Sequence, residues 1–364
     1  MTASAIPRGP GATAWAPETV TDEPYNAQTP WAALAEPMTP VGAFFVRDHF
    51  GVPRTTPQRW RLRLGGAVDA PFDIGYDELL AMARLELDVV LECAGNGRSL
   101  MTPRPPGLQW DQRAVGCAHF AGVPFRSLAE RARIAPDAVE VVFTGADSGT
   151  VHGRPVVFER SLPLGVALHP DTLLATHMNG EPLAPEHGAP VRLVVPGRYA
   201  VADVKWLVGA RAVTEPFVGV FQAEEYVYVA SRGTTDGPVT TVRVKSLITT
   251  PEPDSAVRRG TETLVRGRAW SGAGVAVRQV EVRVECEDEE GAGDRDWRDA
   301  VLEVPAGPYA WTGWSYLWTP RRPGQYRLLA RATDEHGDTQ PPRAPWNAQG
   351  YGCNPVASVE VVVV

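Results

Sequence analysis

Leu91-Glu92-Cys93-Ala94-Gly95-Asn96-Gly97-Arg98-Ser99-Leu100 closes an apolar, β-branched run that includes Leu87, Val89 and Val90. That run reads as a short buried strand. It ends in a cysteine, after which Gly95 and Gly97 turn the backbone tightly. Arg98 follows five residues after Cys93. A thiol at a strand end, beside a glycine loop and a cation, is poised to be a thiolate. A thiolate attacks an electrophile or holds a soft metal. An inert cysteine beside an ordinary turn fits the same residues, because free cysteine is among the most buried residue types.

Outward from this loop, residues 41–50 read as an apolar strand delivering Arg47, Asp48 and His49, and residues 60–64 alternate like another. Helices are expected over 76–83 and 125–132, the second with Pro124 near its start. Strands are expected over 139–143, 173–178, 191–195 and 205–213, and Asn179-Gly180 is a hairpin signal. Strands and helices mix without regular alternation, which predicts an α+β domain with mixed sheets and short helices over 41–248. Residues 1–40, rich in Pro, Ala and Thr, read as an irregular arm pinned by Trp15, Tyr25 and Trp31.

Beyond the linker-like Thr249-Thr250-Pro251-Glu252-Pro253, strand follows strand between Gly-, Pro- and Asp-rich turns. Roughly seven short strands over 249–364 predict an all-β immunoglobulin-like sandwich.

Composition narrows the function. A chain of 364 residues favours two domains. Net charge −8 argues against a general nucleic-acid binder. Only Lys205 and Lys245 are lysines, so 33 of the 35 basic residues are arginine. A lone lysine is then conspicuous, although it is most often a solvated charge. Cys93, Cys117, Cys286 and Cys353 are too far apart for a zinc ribbon, a C-x-x-C redox pair or c-type haem attachment. No apolar run is long enough to span a membrane, and no secretory leader is visible. A cytoplasmic location is the expectation, or a periplasmic one where a leader has been removed. Gly95-Asn96-Gly97 lacks the third glycine of a dinucleotide fingerprint, and P-loop, G-x-S-x-G and H-E-x-x-H motifs are missing.

Several motifs in order resemble the molybdopterin-dependent sulfite oxidase family, which includes the molybdenum core of plant nitrate reductase. Phe44-Phe45-Val46-Arg47-Asp48-His49 is similar to its F-x-x-R-N-H segment, with Asp48 for the usual Asn. Cys93-Ala94-Gly95-Asn96-Gly97-Arg98-Ser99 resembles its C-A-G-N-R-R-S loop, and Gly107-Leu108-Gln109-Trp110 follows at the expected distance. Met178-Asn179-Gly180-Glu181-Pro182-Leu183 and His187-Gly188-Ala189-Pro190-Val191-Arg192 resemble its M-N-G-x-P-L…H-G-x-P-V-R block. Val204-Lys205-Trp206, Ala269-Trp270-Ser271-Gly272 and Pro345-Trp346-Asn347 continue the likeness.

The resemblance implies one molybdenum–molybdopterin, with Cys93 as the thiolate ligand to the metal; no haem is expected, because no haem-attachment motif is visible. It implies a pocket for an oxyanion lined by Arg47, Arg98 and Trp110, with Tyr226 near the metal. It implies that His187, Arg192 and Lys205 hold the pterin and its phosphate, assisted by Phe44, Arg47, Asp48, His49, Asp147, Asp203 and Val204. Asp203 stands where the family carries a small residue, so it is expected to turn outward or to pair with Arg198. Gln349 stands where the family's sulfite pocket has an arginine, in Trp346-Asn347-Ala348-Gln349-Gly350, and Arg343 is a candidate substitute. The implied activity is oxidation of sulfite to sulfate by oxygen-atom transfer, in a homodimer, with electrons leaving to a cytochrome or dioxygen. Two alternatives stay open: the same cofactor acting on another oxyanion or S-oxide, and a non-catalytic binding protein retaining the fold.

Overall fold

The structure, a computed structural model, describes residues 15–230, 233–286 and 296–364. The strand before the cysteine runs over Leu85–Glu92, and its last four residues are buried. It lies at one side of an antiparallel sheet and pairs with Val115–Pro124, which pairs in turn with Leu173–Met178. Leu173–Met178 then pairs with both Glu181–Pro182 and Arg192–Val194. Asn179 and Gly180 both take positive φ between Met178 and Glu181, the two-residue hairpin turn that the Asn-Gly pair favours. A second sheet has the order Phe72–Gly75, Arg61–Gly66, Leu207–Val213, Glu140–Val151, Arg154–Pro163, with one parallel pairing inside it. Helices are short: Phe125–Ala132 spans the expected residues, and Tyr76–Leu80 is a briefer form of the helix expected over 76–83. Trp60 and Trp206 are fully buried in this domain. Each ring removes at least roughly 150 Å² from water, on the order of 4 kcal/mol.

The sandwich packs Lys245–Thr250, Thr263–Trp270, Thr312–Trp318 and Val301–Leu302 against Ser255–Val257, Ala357–Val363, Gly324–Asp334, Val277–Cys286 and Arg298–Asp299. Alternation decides these strands: Ala357–Val363 buries every second residue.

Three expectations change. Residues 41–50 do not form one strand. Val41–Ala43 is a 3-10 turn, and only Val46–Arg47 pairs, because these aromatic residues turn into the core instead of alternating along a sheet. The arm is structured from Glu18 onward. Glu18–Thr21 and Asn26–Gln28 form a small sheet with Val46–Arg47, and Trp31–Leu34 is a helical turn. The expected arm up to residue 14 lies outside the described residues. The strand Lys245–Thr250 crosses the boundary expected at 248/249, since its register with Thr263–Trp270 begins at Lys245↔Trp270.

The two domains meet directly behind the cysteine loop. Val90 N–H donates to Tyr309 C=O at 2.9 Å, and Trp311 Nε1 donates to Pro37 C=O at 2.8 Å. Lys245 Nζ pairs with Glu92 Oε1 at 2.9 Å, and Trp270 Nε1 donates to Glu92 Oε2 at 2.8 Å. Asn96 Nδ2 also donates to Glu92 Oε1, at 2.9 Å. Both lysines of the chain are therefore paired, Lys245 buried and Lys205 half-buried, instead of solvated.

Candidate active site

Cys93 is 5% exposed at the end of its strand. Its N–H donates to Ala114 C=O and its C=O accepts from Asn96 N–H, each at 2.9 Å, so the backbone is held on both sides. Gly97 takes φ +84°, and a Cβ there would lie 3.2 Å from Cys353 Sγ. A Cβ on Gly95 would lie 2.7 Å from Arg98 Nη2, so glycine makes room for the guanidinium. Burial pushes the Cys93 thiol up, against the opposing pull of Arg47, the Gly95 N–H and Arg98. The loop alone therefore does not make the thiolate expected from sequence, because desolvation outweighs the cations. Coordination to a metal deprotonates such a thiol.

Two chambers meet at Arg47, Cys93 and Tyr226, which line both. The outer chamber also has Arg98, Trp110, Tyr351, Glu225 and Gln349 in its walls. Arg98 donates to Leu108 C=O at 2.8 Å and to Gln349 C=O at 3.0 Å, and it lies over the Tyr351 ring. Arg47 donates to Asn26 Oδ1 at 3.3 Å and to Asp48 C=O, which fixes it through the arm. Tyr226 adopts φ +55°, a conformation that L-residues rarely take and that marks functional sites when surroundings enforce it. Its ring stacks on Tyr351 at 4.9 Å, and its hydroxyl lies 2.7 Å from His49 Nε2. His49 packs against Phe158 and Phe221. Burial, with Arg47 and Lys205 nearby, holds its imidazole well below the usual range, so it is neutral.

The inner chamber runs from Cys93 past Phe44 and Asp147 to Arg192, Asp203 and Lys205. Lys205 pairs with Asp48 and donates to Glu186 C=O at 2.9 Å. Its ammonium lies 4.4 Å from the centre of the Trp206 ring. Arg192 donates to His187 C=O at 3.2 Å and Asp203 C=O at 3.4 Å. His187, pushed down to about 3 mainly by burial, is neutral and lies with Nε2 3.1 Å from Val41 C=O. Burial also raises Asp147 to about 6 and Asp203 to about 7. Arg192 and Lys205 supply the positive charge at this end. A soft thiol, sheltered cations and an Asp203 Oδ2 with no hydrogen-bond partner among the described residues suit an elongated group carrying metal-binding sulfur at one end and an anion at the other.

The structure thus brings thirteen of the side chains named in the sequence reading around one space, but it corrects four details. Val204 does not line it: its side chain joins the hydrophobic core, and its peptide is used by Ala202 and Leu193. Asp203 neither turns outward nor pairs with Arg198. It is 2% exposed, and its Oδ1 accepts from Val195 N–H at 2.7 Å. Asp48 lies behind Arg47 and His49 as the partner of Lys205, outside the chamber wall. Arg343 is exposed and absent from the outer chamber's walls, so Gln349 stands there without a substitute among the described residues. Sequence reasoning missed Asn26, Trp206, Glu225 and Tyr351. Asn26 and Tyr351 reach the site from distant parts of the chain, and only Trp206 carried a signal, its place after Lys205 in a recognised motif.

A model of the oxidoreductase molybdopterin binding domain matches residues 49–221, and one of the Mo-co oxidoreductase dimerisation domain matches residues 237–363. Fold and site therefore define a molybdopterin oxidoreductase core with its dimerisation domain. The sulfite oxidase of Gallus gallus is 34% identical over 354 residues, covering 90% of this chain and 74% of that protein. The mitochondrial sulfite oxidase of Mus musculus is 33% identical over 366 residues, covering 94% of this chain and 64% of the mouse protein, less than two thirds of its length. The crystal structure of the sulfane dehydrogenase SoxCD from Paracoccus pantotrophus matches with a TM-score of 0.82 at 26% identity, covering 98% of this chain and 92% of that one. The chain belongs to the sulfite oxidase family.

Proposed function

We propose that this chain oxidises sulfite to sulfate at a molybdenum–molybdopterin centre and passes the electrons to a separate acceptor, a cytochrome or dioxygen. The observation that carries the reading is the junction of the two chambers at Arg47, Cys93 and Tyr226. Cys93 is the ligand to the metal there. Phe44, His49, Asp147, His187, Arg192 and Lys205 enclose the pterin, and Arg192 and Lys205 neutralise its phosphate. Asp48 keeps Lys205 aimed, and Val204 only positions its neighbours.

The bound group supplies two-electron oxygen-atom transfer. Over the cycle sulfite gains one oxygen from water, and two protons and two electrons are released. The chain's own work is electrostatic. Arg47 and Arg98 attract and orient the anion, their guanidinium groups aimed by backbone carbonyls and Asn26. Tyr226 walls the junction, and Trp110 and Tyr351 wall the outer chamber beside it. The Tyr226 hydroxyl and neutral His49 offer a hydrogen-bond pair beside the reacting centre. The sandwich mediates a homodimer.

Metal analysis with turnover tests this. Less than about a tenth of an equivalent of molybdenum, after expression in a cofactor-competent host, sinks the enzyme reading. With molybdenum present, sulfite must bleach the metal–thiolate absorbance and drive reduction of an artificial acceptor. One observation favours a second reading, another oxyanion or an S-oxide as substrate: Gln349 and Glu225 face an outer chamber in which, among the described residues, only Arg47 and Arg98 are cations. Bleaching by such a compound but not by sulfite selects it.

A further inference from the structure

We propose that Asp203 binds the cofactor as a neutral carboxylic acid, its Oδ2–H donating a hydrogen bond to the phosphate that Arg192 and Lys205 attract. The inference rests on reading the inner chamber as the pterin site. Asp203 lines that chamber and is 2% exposed. Its Oδ1 takes the Val195 N–H, and its Oδ2 has no hydrogen-bond partner among the described residues.

Arg192 and Lys205 are the cations lining this end of the chamber, yet neither pairs with this carboxyl. Arg192 directs its guanidinium to the backbone carbonyls of His187, Leu193 and Asp203. Lys205 is paired with Asp48. Of the other charged or titratable groups around the chamber, Glu186 and Asp147 are acids, His187 is neutral, and Arg47 lies at the far end by Cys93. Arg198 makes no ion pair with Asp203 and does not line the chamber. A buried carboxylate left this way is costly, and an adjacent phosphate adds repulsion. A protonated carboxyl removes both costs and turns the orphaned oxygen into a donor. Burial already carries Asp203 to about 7, with Arg192 and the Val195 N–H opposing the rise.

Raising the pH ionises Asp203 against the phosphate, so cofactor retention weakens in alkali. Holoenzyme prepared at pH 6 is incubated between pH 6 and pH 9, and released pterin is followed by fluorescence alongside retained molybdenum. The native release rate is expected to rise about tenfold or more across this range, as one ionisation spanning more than a unit allows. Asp203→Asn and Asp203→Ser keep a donor that does not ionise, and their release rates are expected to stay flat above pH 7. A flat native profile, or variants that follow the native curve, overturns the proposal. If neither variant loads cofactor, the infrared spectrum of native holoenzyme decides: absence of any protonated buried carboxyl band at pH 7 overturns it. Protein that carries no pterin at any pH overturns the site reading itself.

Discussion

Gln349→Arg tests whether the charge of the outer chamber limits sulfite binding. Gln349 is half-buried, its Nε2 donates to Glu224 C=O at 3.0 Å, and its Oε1 has no partner among the described residues. An arginine there offers the anion a third guanidinium. A hydrogen bond to a charged group contributes about 1.5–3 kcal/mol, and a chamber open to solvent takes the lower end. Arg98, whose Nε donates to the Gln349 carbonyl, opposes the change. Like charges about 7 Å apart in water-like surroundings repel by roughly 0.6 kcal/mol. Glu225, in the same wall, offsets part of that. The net gain is about 1 kcal/mol, or roughly a fivefold lower sulfite KM. Steady-state sulfite oxidation with an artificial acceptor, at matched molybdenum content, measures it. The gain shrinks as ionic strength rises, because exposed charges are screened. An unchanged or higher KM at low salt refutes the reasoning, and Gln349 is then not part of the anion's environment.

Cys93→Ser abolishes sulfite turnover and the metal–thiolate absorbance while near-UV circular dichroism stays native, since both backbone hydrogen bonds of residue 93 survive; retained turnover removes Cys93 as the ligand. Lys245→Met leaves Glu92 buried without its cation and lowers unfolding free energy by about 3–5 kcal/mol in a denaturant titration. Lys245→Met with Glu92→Gln recovers most of that loss, and a double variant no more stable than the single one contradicts the pairing. Asp147 has its folded pKa raised to about 6 by burial, so its contribution to stability is full below the unfolded value and is lost as pH rises through 6. The Tm of cofactor-free Asp147→Asn minus that of the native protein should therefore grow between pH 4 and pH 7; a difference independent of pH contradicts the shift.

What was legible in the sequence had local causes. The cysteine loop is a contiguous turn whose glycines, cysteine and arginine sit within six residues, so their proximity needs no tertiary information. The helix Phe125–Ala132 and the Asn179-Gly180 hairpin are likewise set by neighbours. The sandwich strands were readable because one face of each is buried. What was hidden depends on distant partners. Asn26 looked like part of a loose arm, but its side chain anchors Arg47 and the Asp48 N–H. Tyr351 enters through a loop of the second domain held by paired Asn347–Tyr351 hydrogen bonds. Asp203 was misjudged because electrostatic reasoning on an exposed carboxylate ignored the Val195 N–H that draws it inward. Lys245 was misjudged for the same kind of reason, since its carboxylate partner lies 153 positions away.

The sheltering of both lysines has a practical consequence for chemical footprinting. Lys245 shows 2% of its side chain and Lys205 15%, so acylating reagents find almost no side-chain amine on the folded surface. Lys205 sits where the proposed phosphate docks, and its acylation, read by mass spectrometry, would distinguish cofactor-loaded molecules from empty ones. Lys245, sealed between the domains, would be labelled only when they part. Two amines thus give separate clocks for loading and for domain separation, against a background of arginines that the same reagents ignore.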